Sequence, residues 1–294
     1  MAVDRRPALK TRLLLAALGA VSFAARVVPR HRVAEPMCRG LGVFWYLAAP
    51  AARHAVHDNL RHILGREPTR QQIVGVFQNG LLNYWDIFAI PHFSLQRVLE
   101  LVDIHGLEYV VSGVEQGRGV ILCTGHLSSV SFVGQVFPAL GYRITGLLER
   151  LEPPELYEFF SRQRTALGAR LLPVGTAALR ELLLALRRNE LLGLVTDRDV
   201  TGTGPFIQFF DAPTRFPDGP AALAVRTGAS LLIAVCTRKA DGRFDAWIHP
   251  VPSVPLTGNT REDVLHVTRA IASSLEYHIA SHPEQWTVFQ KRWS

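Results

Sequence analysis

The sequence predicts one α/β domain built on a central mixed sheet flanked by helices, with a helical arm in front of it. From residue 102 onward, short apolar runs alternate with longer amphipathic segments, as strands and helices do in α/β proteins. Hydrophobic residues make up 48% of the 294 positions, enough for one large domain or two small ones. No repeat or low-complexity linker divides the chain, so a single domain is the simpler prediction.

The amino-terminal arm, residues 1–62, is predicted to attach the protein to a membrane, and residues 63–294 to form the α/β domain. The arm has ten basic and three acidic residues, so it carries the whole net charge of +7. This uneven distribution argues against nucleic-acid binding. Basic residues, among them Arg5, Arg6 and Lys10, flank an apolar run at positions 13–25. A run shorter than the roughly 20 residues that span a bilayer favours a helix lying in the interface of an anionic membrane.

The membrane prediction has further support and two alternatives. Phe44, Trp45 and Tyr46 are residue types that lie at headgroup depth. One alternative is a cleaved signal peptide, because Ser22-Phe23-Ala24-Ala25 resembles a cleavage site. The other is an ordinary amphipathic surface helix. Arginines directly after the run, and three cysteines without disulfide spacing, favour a retained segment in a reducing compartment. We therefore expect the protein at the cytoplasmic face of the cell membrane.

The stretch around His126 carries the main functional prediction. Residues 120–123 form a fully apolar run, as expected of a buried strand, and Thr124-Gly125 ends it. Ser128 or Ser129 can cap a following helix through Phe137. His126 then lies at the carboxyl end of a strand, where open α/β sheets bind ligands and an imidazole can act as a general base. The alternative is a histidine that only caps the helix or packs in the core.

The other elements follow from periodicity and from turn residues. Helices are predicted at 67–90, 153–167, 176–189, 221–227 and 262–281, and a helix followed by a turn at 107–117. Strands are predicted at 142–148, 171–174, 191–196 and 230–237, with an edge strand at 243–249. The strand at 191–196 resembles the one before His126. It delivers Asp197, Arg198 and Asp199 to its carboxyl end, the same kind of position.

Metal chemistry is an alternative at two places. His54 and His57 would share a helix face beside Asp58, but no completing metal spacing is present, so a solvated basic face is the better interpretation. Asp197 and Asp199 also fit a DxD pair holding a divalent ion in a glycosyltransferase. The sequence has no GxSxG nucleophile elbow, no P-loop and no GxGxxG after a strand, which disfavours the usual serine hydrolases, P-loop enzymes and Rossmann dehydrogenases.

Six motifs follow one another along the chain: Thr124-Gly-His126, Arg164, Asp197-Arg-Asp199, Pro217-Asp-Gly-Pro220, Gln285-Trp286 and Arg292-Trp293. Their order resembles the lysophospholipid-acyltransferase-like superfamily, and within it the lipid A biosynthesis acyltransferase family, which includes the phosphatidylinositol mannoside acyltransferases. The motif Asp197-Arg-Asp199, followed by Thr201-Gly-Thr-Gly204, is more similar to the mannoside branch than to the lipid A branch.

The resemblance implies transfer of a fatty acyl group from acyl-CoA or acyl carrier protein to a hydroxyl of a membrane glycolipid, with no metal, cofactor or covalent intermediate. His126 would remove the hydroxyl proton, and backbone N–H groups near the helix start would stabilise the oxyanion. Arg164 and Asp197 carry over as catalytic residues. Arg164 would bind a phosphate or the developing charge, and Asp197 would orient the acceptor or hold Arg164.

Structural roles are the alternatives for these two residues: a helical surface pair with Glu155 or Glu158 for Arg164, and a turn cap for Asp197. Five more residues are expected to contact substrate: Ser131, Glu149, Arg198, Asp199 and Gly219. The resemblance implies nothing about oligomeric state.

One departure from the family concerns residue 131. The signature is His, four residues, then Asp or Glu, but the fifth residue after His126 is Ser131. Five residues of an ideal helix turn about 500°, so His126 must precede the helix for residue 131 to reach it. Three interpretations follow. Another carboxylate (Glu149, Asp197 or Asp199) pairs with His126, the enzyme works slowly with His126 alone, or the fold has kept only lipid binding.

Overall fold

The protein is an α/β domain with a seven-stranded mixed sheet, as the sequence predicts. The computed structural model describes residues 9–293, so Arg5 and Arg6 of the predicted arm lie outside the described part. In chain order the sheet strands are β1 (Val102–His105), β2 (Val120–Thr124), β3 (Ile144–Leu148), β4 (Arg170–Pro173), β5 (Leu191–Val195), β8 (Ser230–Arg238) and β9 (Phe244–Pro250). Their spatial order is β1-β9-β8-β2-β5-β3-β4, and only β8 and β9 pair antiparallel. A separate hairpin joins β6 (Phe206–Phe209) to β7 (Ala212–Arg215).

Helices cover both faces of the sheet. They are α1 (Leu9–Val27), α2 (Glu35–Ala48), α3 (Pro50–Leu64), α4 (Arg70–Ala89), α5 (Leu95–Leu101), α6 (Leu107–Glu115), α7 (Val130–Val133), α8 (Val136–Ala139), α9 (Pro154–Thr165), α10 (Thr176–Arg187), α11 (Gly219–Thr227) and α12 (Thr260–Ser281). The predicted helix at 67–90 is α4. It begins after Thr69 with a capping box, in which the Thr69 side chain accepts from the Gln72 backbone and Gln72 accepts in return.

Two predictions about elements are wrong. The strand predicted at the edge, β9, lies between β8 and β1, so β1 is the edge strand on that side. The single helix predicted through Phe137 is divided into α7 and α8, with Gly134 at the break. Ser129 precedes α7 but makes no side-chain cap hydrogen bond, and Ser128 has a left-handed backbone with φ of 54°. Local sequence propensity determines neither the place of β9 in the sheet nor the break between α7 and α8, because both depend on tertiary packing.

The predicted arm packs against the α/β domain through α2 and α3. Val56, Leu60 and Ile63 of α3 belong to the same buried cluster as the sheet residues Ile121 and Leu192. The domain boundary at residue 62 stays a prediction, but the apolar face of α3 is part of the main core. Among residues 9–293, no helix has the combination of length and hydropathy that crossing a bilayer requires.

The three neighbouring aromatic residues of α2 do not share one environment. Phe44 is 68% exposed. Trp45 and Tyr46 instead pack edge-on against Phe77 of α4, with ring centroids 5.0 and 5.8 Å away. Trp45 and Tyr46 are therefore partly buried, and the prediction that the three residues lie at headgroup depth stays a prediction.

A buried ion network ties the turn between α1 and α2 to the sheet. Asp86 of α4 contacts Arg30 of that turn at 2.8 Å and Arg238 of β8 at 2.5 Å. Both guanidinium groups also lie about 5 Å from the centre of the Phe244 ring, at 5.1 and 4.8 Å. Asp86 thus contacts two arginines inside the protein.

Replacement of Asp86 by asparagine is expected to lower the free energy of unfolding by about 3–5 kcal/mol, because it removes the carboxylate that both buried cations contact. Chemical denaturation monitored by circular dichroism measures the change. Asp58→Asn is the matched control, since the Asp58–Arg61 contact lies near the surface and spans 3.9 Å. Equal stability of the two variants would contradict the prediction.

Candidate active site

The site begins where two neighbouring parallel strands end. β2 and β5 are in register up to the pair Thr124 and Val195, and the Thr196 backbone donates to the Thr124 carbonyl at 2.7 Å. The residues that follow each strand therefore leave the sheet side by side. This places His126 next to Asp197, although 71 residues separate them in the chain.

His126 and Asp197 form a hydrogen-bonded pair. The ring Nδ1 lies 2.7 Å from Asp197 Oδ1, and the His126 backbone N–H donates to Asp197 Oδ2 at 2.6 Å. The Asp197 side chain is fully buried, whereas that of His126 is 37% exposed. A carboxylate on Nδ1 holds the proton of the neutral ring there, so Nε2 is the nitrogen available to a substrate. Of the three carboxylates proposed to pair with His126, Asp197 is the partner.

Trp286 is a member of this site that the sequence does not reveal. Its indole Nε1–H donates to Asp197 Oδ2 at 2.6 Å. The surrounding segment also fixes the loop after β2: the Thr287 backbone donates to the His126 carbonyl, and the Ser128 backbone to the Gln285 carbonyl. Gln285-Trp286 enters the sequence analysis only through the family resemblance, because no local pattern links residue 286 to residue 126.

These contacts keep Asp197 ionised. Burial opposes the charge of the carboxylate, but the His126 ring, the His126 backbone and the Trp286 indole outweigh it, so the pKa of Asp197 lies below its ordinary value. The carboxylate is fully buried and does not line the cavity described below. Within residues 9–293 it makes no ion pair with Arg164, so the expectation that Asp197 holds Arg164 is wrong, whereas a role in orienting the acceptor stays a prediction.

Gly125 makes the close approach of the two segments possible. A Cβ atom at this position would lie 3.0 Å from Asp197 Oδ2 and 3.3 Å from its Cγ. The carboxylate is buried and hydrogen-bonded on both oxygens, so it has little freedom to move away. Only glycine leaves room for the carboxylate directly behind the histidine.

His126 lies in the wall of a cavity of about 1030 Å³, at the upper end of the range of roughly 300–1,000 Å³ for small-molecule sites. The lining is mainly apolar and includes Leu122, Val133, Phe137, Ile144 and Ile248. Every predicted site residue except Asp197 lines this one cavity: His126, Ser131, Glu149, Arg164, Arg198, Asp199 and Gly219. The structure therefore brings the predicted residues together.

Ser131 contacts Arg164. The Arg164 Nε–H donates to Ser131 Oγ at 3.1 Å, and the guanidinium lies 5.3 Å from the centre of the Phe160 ring. Within residues 9–293 no carboxylate is within ion-pair distance of Arg164, so the predicted alternative of a surface pair with Glu155 or Glu158 is wrong. Burial lowers the pKa of Arg164 to about 10, which still leaves the guanidinium charged at neutral pH.

The acidic pair does not fit a metal site. Asp197 Oδ1 and Oδ2 face N–H donors, as described above, and Asp199 accepts from the backbones of Thr201 and Gly204 at 3.0 and 2.8 Å. Asp199 thus shapes the loop after β5, and Arg198 pairs with Glu149 at the same cavity wall. Across the described part of the chain, no group of three or more His, Cys, Asp or Glu side chains is arranged to hold a metal ion.

Comparison of the sequence with known proteins identifies its family. The model of the bacterial lipid A biosynthesis acyltransferase family matches residues 5–294. The chain belongs to this family. It is similar to the phosphatidylinositol mannoside acyltransferases of two Mycobacterium tuberculosis strains, each 32% identical over 280 residues that cover 92% of this chain and 85% of the relative. The protein of that name from Mycolicibacterium smegmatis is 31% identical over 271 residues, which cover 88% and 87%.

Membership in the lipid A biosynthesis acyltransferase family confirms the resemblance inferred from the motifs. It establishes an acyltransferase of the lipid A and phosphatidylinositol mannoside type, and it overrules the glycosyltransferase alternative that Asp197 and Asp199 had suggested.

Proposed function

We propose that this acyltransferase moves a fatty acyl group from a thioester, acyl-CoA or acyl carrier protein, to a hydroxyl of a membrane glycolipid such as a phosphatidylinositol mannoside or a lipid A precursor. The observation that carries the proposal is the His126–Asp197 pair in the wall of a large, mainly apolar cavity. The names of the mycobacterial relatives favour the mannoside as the acceptor.

In the proposed reaction His126 serves first as a base and then as an acid. Nε2 takes the proton of the acceptor hydroxyl while the hydroxyl oxygen attacks the thioester carbonyl carbon. Asp197 stabilises the imidazolium that forms and keeps the ring in place. When the C–S bond breaks, the imidazolium returns the proton to the thiolate that leaves. The ester bond replaces the thioester bond, and the enzyme ends unchanged.

The cavity supports this reaction because it offers an apolar space beside the base. A long acyl chain transferred from water to such a wall gains about 0.8 kcal/mol for each buried CH₂. The alternative of a catalytically silent lipid-binding protein rested on the missing carboxylate at Ser131. Asp197 supplies a carboxylate to His126, so that reason no longer holds.

The test is to incubate the purified protein with radiolabelled acyl-CoA and a membrane lipid extract. We expect the label to appear in a glycolipid, with free thiol released in equal amount. Mass spectrometry of the labelled lipid then identifies the acceptor. Label that stays in the donor, or that is released only as free fatty acid, would contradict the proposal.

We also propose that α1 and α2 bind an anionic membrane surface at the cytoplasmic face. Large apolar side chains on these helices are exposed: Leu9, Leu13, Phe23, Val27, Met37, Leu41, Phe44 and Leu47. The basic residues Lys10, Arg12 and Arg26 are exposed on α1 as well. Apolar side chains combined with basic ones suit a helix in the interface of anionic lipids. Ser22 is buried and its hydroxyl donates to Gln163 of α9, which supports a retained α1 over a cleaved signal peptide.

The double variant Leu13→Asp/Phe44→Asp is expected to weaken binding to vesicles of anionic lipid by roughly tenfold or more, because burying each such side chain contributes about 1.5–3 kcal/mol. Co-sedimentation with vesicles measures the change. Leu256→Asp is the control, since Leu256 is 62% exposed on a loop outside these helices. If the control weakens binding as much as the double variant does, the proposed surface is not the one that binds lipid.

A further inference from the structure

Arg164 carries a charge that no acidic residue of the described chain balances. Its Nε–H donates to a neutral hydroxyl, Ser131 Oγ, and one face of the guanidinium packs on Phe160. The terminal Nη1 is shielded from solvent and has no hydrogen-bond acceptor among the residues that the structure describes. Within residues 9–293 the hydrogen bond to Ser131 is the one that the guanidinium donates. The group therefore keeps both its full charge and unused N–H donors in the cavity wall.

Such an arrangement costs free energy unless an acceptor meets the guanidinium. A cation that is partly shielded from water loses part of its hydration, and a buried N–H donor without an acceptor costs about 1–3 kcal/mol or more when charged. In the family signature an acidic residue occupies the position of Ser131, and here it would be within reach of Arg164 Nε. This chain has Ser131 at that position, so Arg164 faces a neutral hydroxyl there.

We infer that Arg164 and Ser131 form a subsite for a phosphate group of the substrate, in which the phosphate replaces the missing carboxylate. The planar guanidinium matches two phosphate oxygens in a forked contact, and Phe160 holds its plane. Tyr84 packs against the same phenylalanine, with ring centroids 6.2 Å apart, and lines the same cavity. This inference rests on the proposed function, because it assigns a part of the substrate to that cavity. The phosphate comes either from the donor or from the acceptor headgroup.

The sharpest test compares Ser131→Asp with Ser131→Asn, two variants of equal size that differ by one charge. The probe is inorganic pyrophosphate, and calorimetric titration of the full chain measures its binding. The aspartate variant is expected to bind pyrophosphate about tenfold or more weakly than the asparagine variant, because an internal carboxylate occupies the guanidinium. Arg164→Gln is expected to lose binding, and Arg162→Gln, an exposed arginine of the same helix, to keep it.

Equal affinity of the aspartate and asparagine variants would overturn the inference, as would the absence of saturable binding to the wild-type protein. A melting temperature measured without ligand shows that each variant is folded. This binding test needs no turnover. A wild-type protein that binds pyrophosphate at Arg164 but transfers no acyl group would refute the proposed function and leave the subsite intact.

Kinetics distinguish the two sources of the phosphate. If the donor supplies it, Ser131→Asp has a higher KM than Ser131→Asn for acyl-CoA but not for acyl-pantetheine, which has no phosphate. If the acceptor supplies it, the aspartate variant has a higher KM for the phosphoinositide with both donors. Either result supports the subsite. Equal KM values of the two variants for every substrate would overturn it.

Discussion

Replacement of His126 by alanine is expected to reduce acyl transfer to background, a loss of roughly 10²–10⁴-fold in kcat/KM. A hydroxyl is too weak an acid to attack a thioester at neutral pH without a base. His126 is the histidine that combines a buried carboxylate on Nδ1 with a position in the cavity wall. Asp197 cannot replace His126 as the base, because its carboxylate is fully buried behind the ring.

The measurement is initial-rate transfer of labelled acyl groups at saturating donor. His105→Ala is the matched control: His105 also contacts an aspartate, Asp245, at 3.0 Å, but it lies on the edge strand outside the cavity. This control is expected to keep its activity. The His126 variant is expected to remain folded, because the ring is partly exposed and its loss leaves no apolar cavity in the core. Full activity of His126→Ala would end the assignment of the base.

The sequence predicts the parts of this site that depend on local pattern. An apolar run ended by Thr124-Gly125 marks β2 and places His126 after it, and the same reasoning places Asp197 after β5. Because parallel strands present their carboxyl ends at one edge, both residues are expected at the same edge of the sheet. Their direct contact requires more, namely that β2 and β5 are neighbours, and strands β3 and β4 intervene in the chain.

Long-range contacts account for the remaining differences. Trp286 reaches Asp197 from a segment 89 residues further along, and no periodicity in either stretch predicts that hydrogen bond. The position of β9 inside the sheet depends on its parallel pairing with β1, which the sequence pattern does not encode. The residue that Ser131 contacts likewise depends on how α9 lies relative to α7. The family signature alone suggested a contact with His126, whereas the structure shows one with Arg164.

Replacement of Asp197 by asparagine is expected to lower kcat by up to about 10⁴-fold, the size of the same change in a Ser-His-Asp triad. The two carboxylate oxygens accept three hydrogen bonds, from the His126 ring, the His126 backbone and the Trp286 indole. An asparagine offers one oxygen and an NH₂ group that donates. At least one N–H would then face another N–H, and the ring would change its tautomer or its orientation.

The same substitution is expected to destabilise the protein most at neutral pH. The pKa of Asp197 lies below its ordinary value of about 3.9, so its charge stabilises the fold above that pH and this contribution disappears as the pH falls through the native pKa. The difference in free energy of unfolding between wild type and Asp197→Asn should therefore be about 1–3 kcal/mol at pH 7 and smaller below pH 4. Denaturation at both pH values measures it, and a deficit that grows in acid would contradict the direction of the shift.

A double variant that combines Asp197→Asn with His126→Ala distinguishes positioning of the base from a structural role. If Asp197 acts only through His126, then Asp197→Asn in the His126→Ala background should cost less than about tenfold in further activity, because the two residues act as one unit. A residue that merely supports the fold would cost the same factor in either background. The stability change should remain in both backgrounds, since the Trp286 hydrogen bond to the carboxylate does not depend on the histidine ring. A full additional loss of activity in the double variant would show that Asp197 has a task apart from orienting His126.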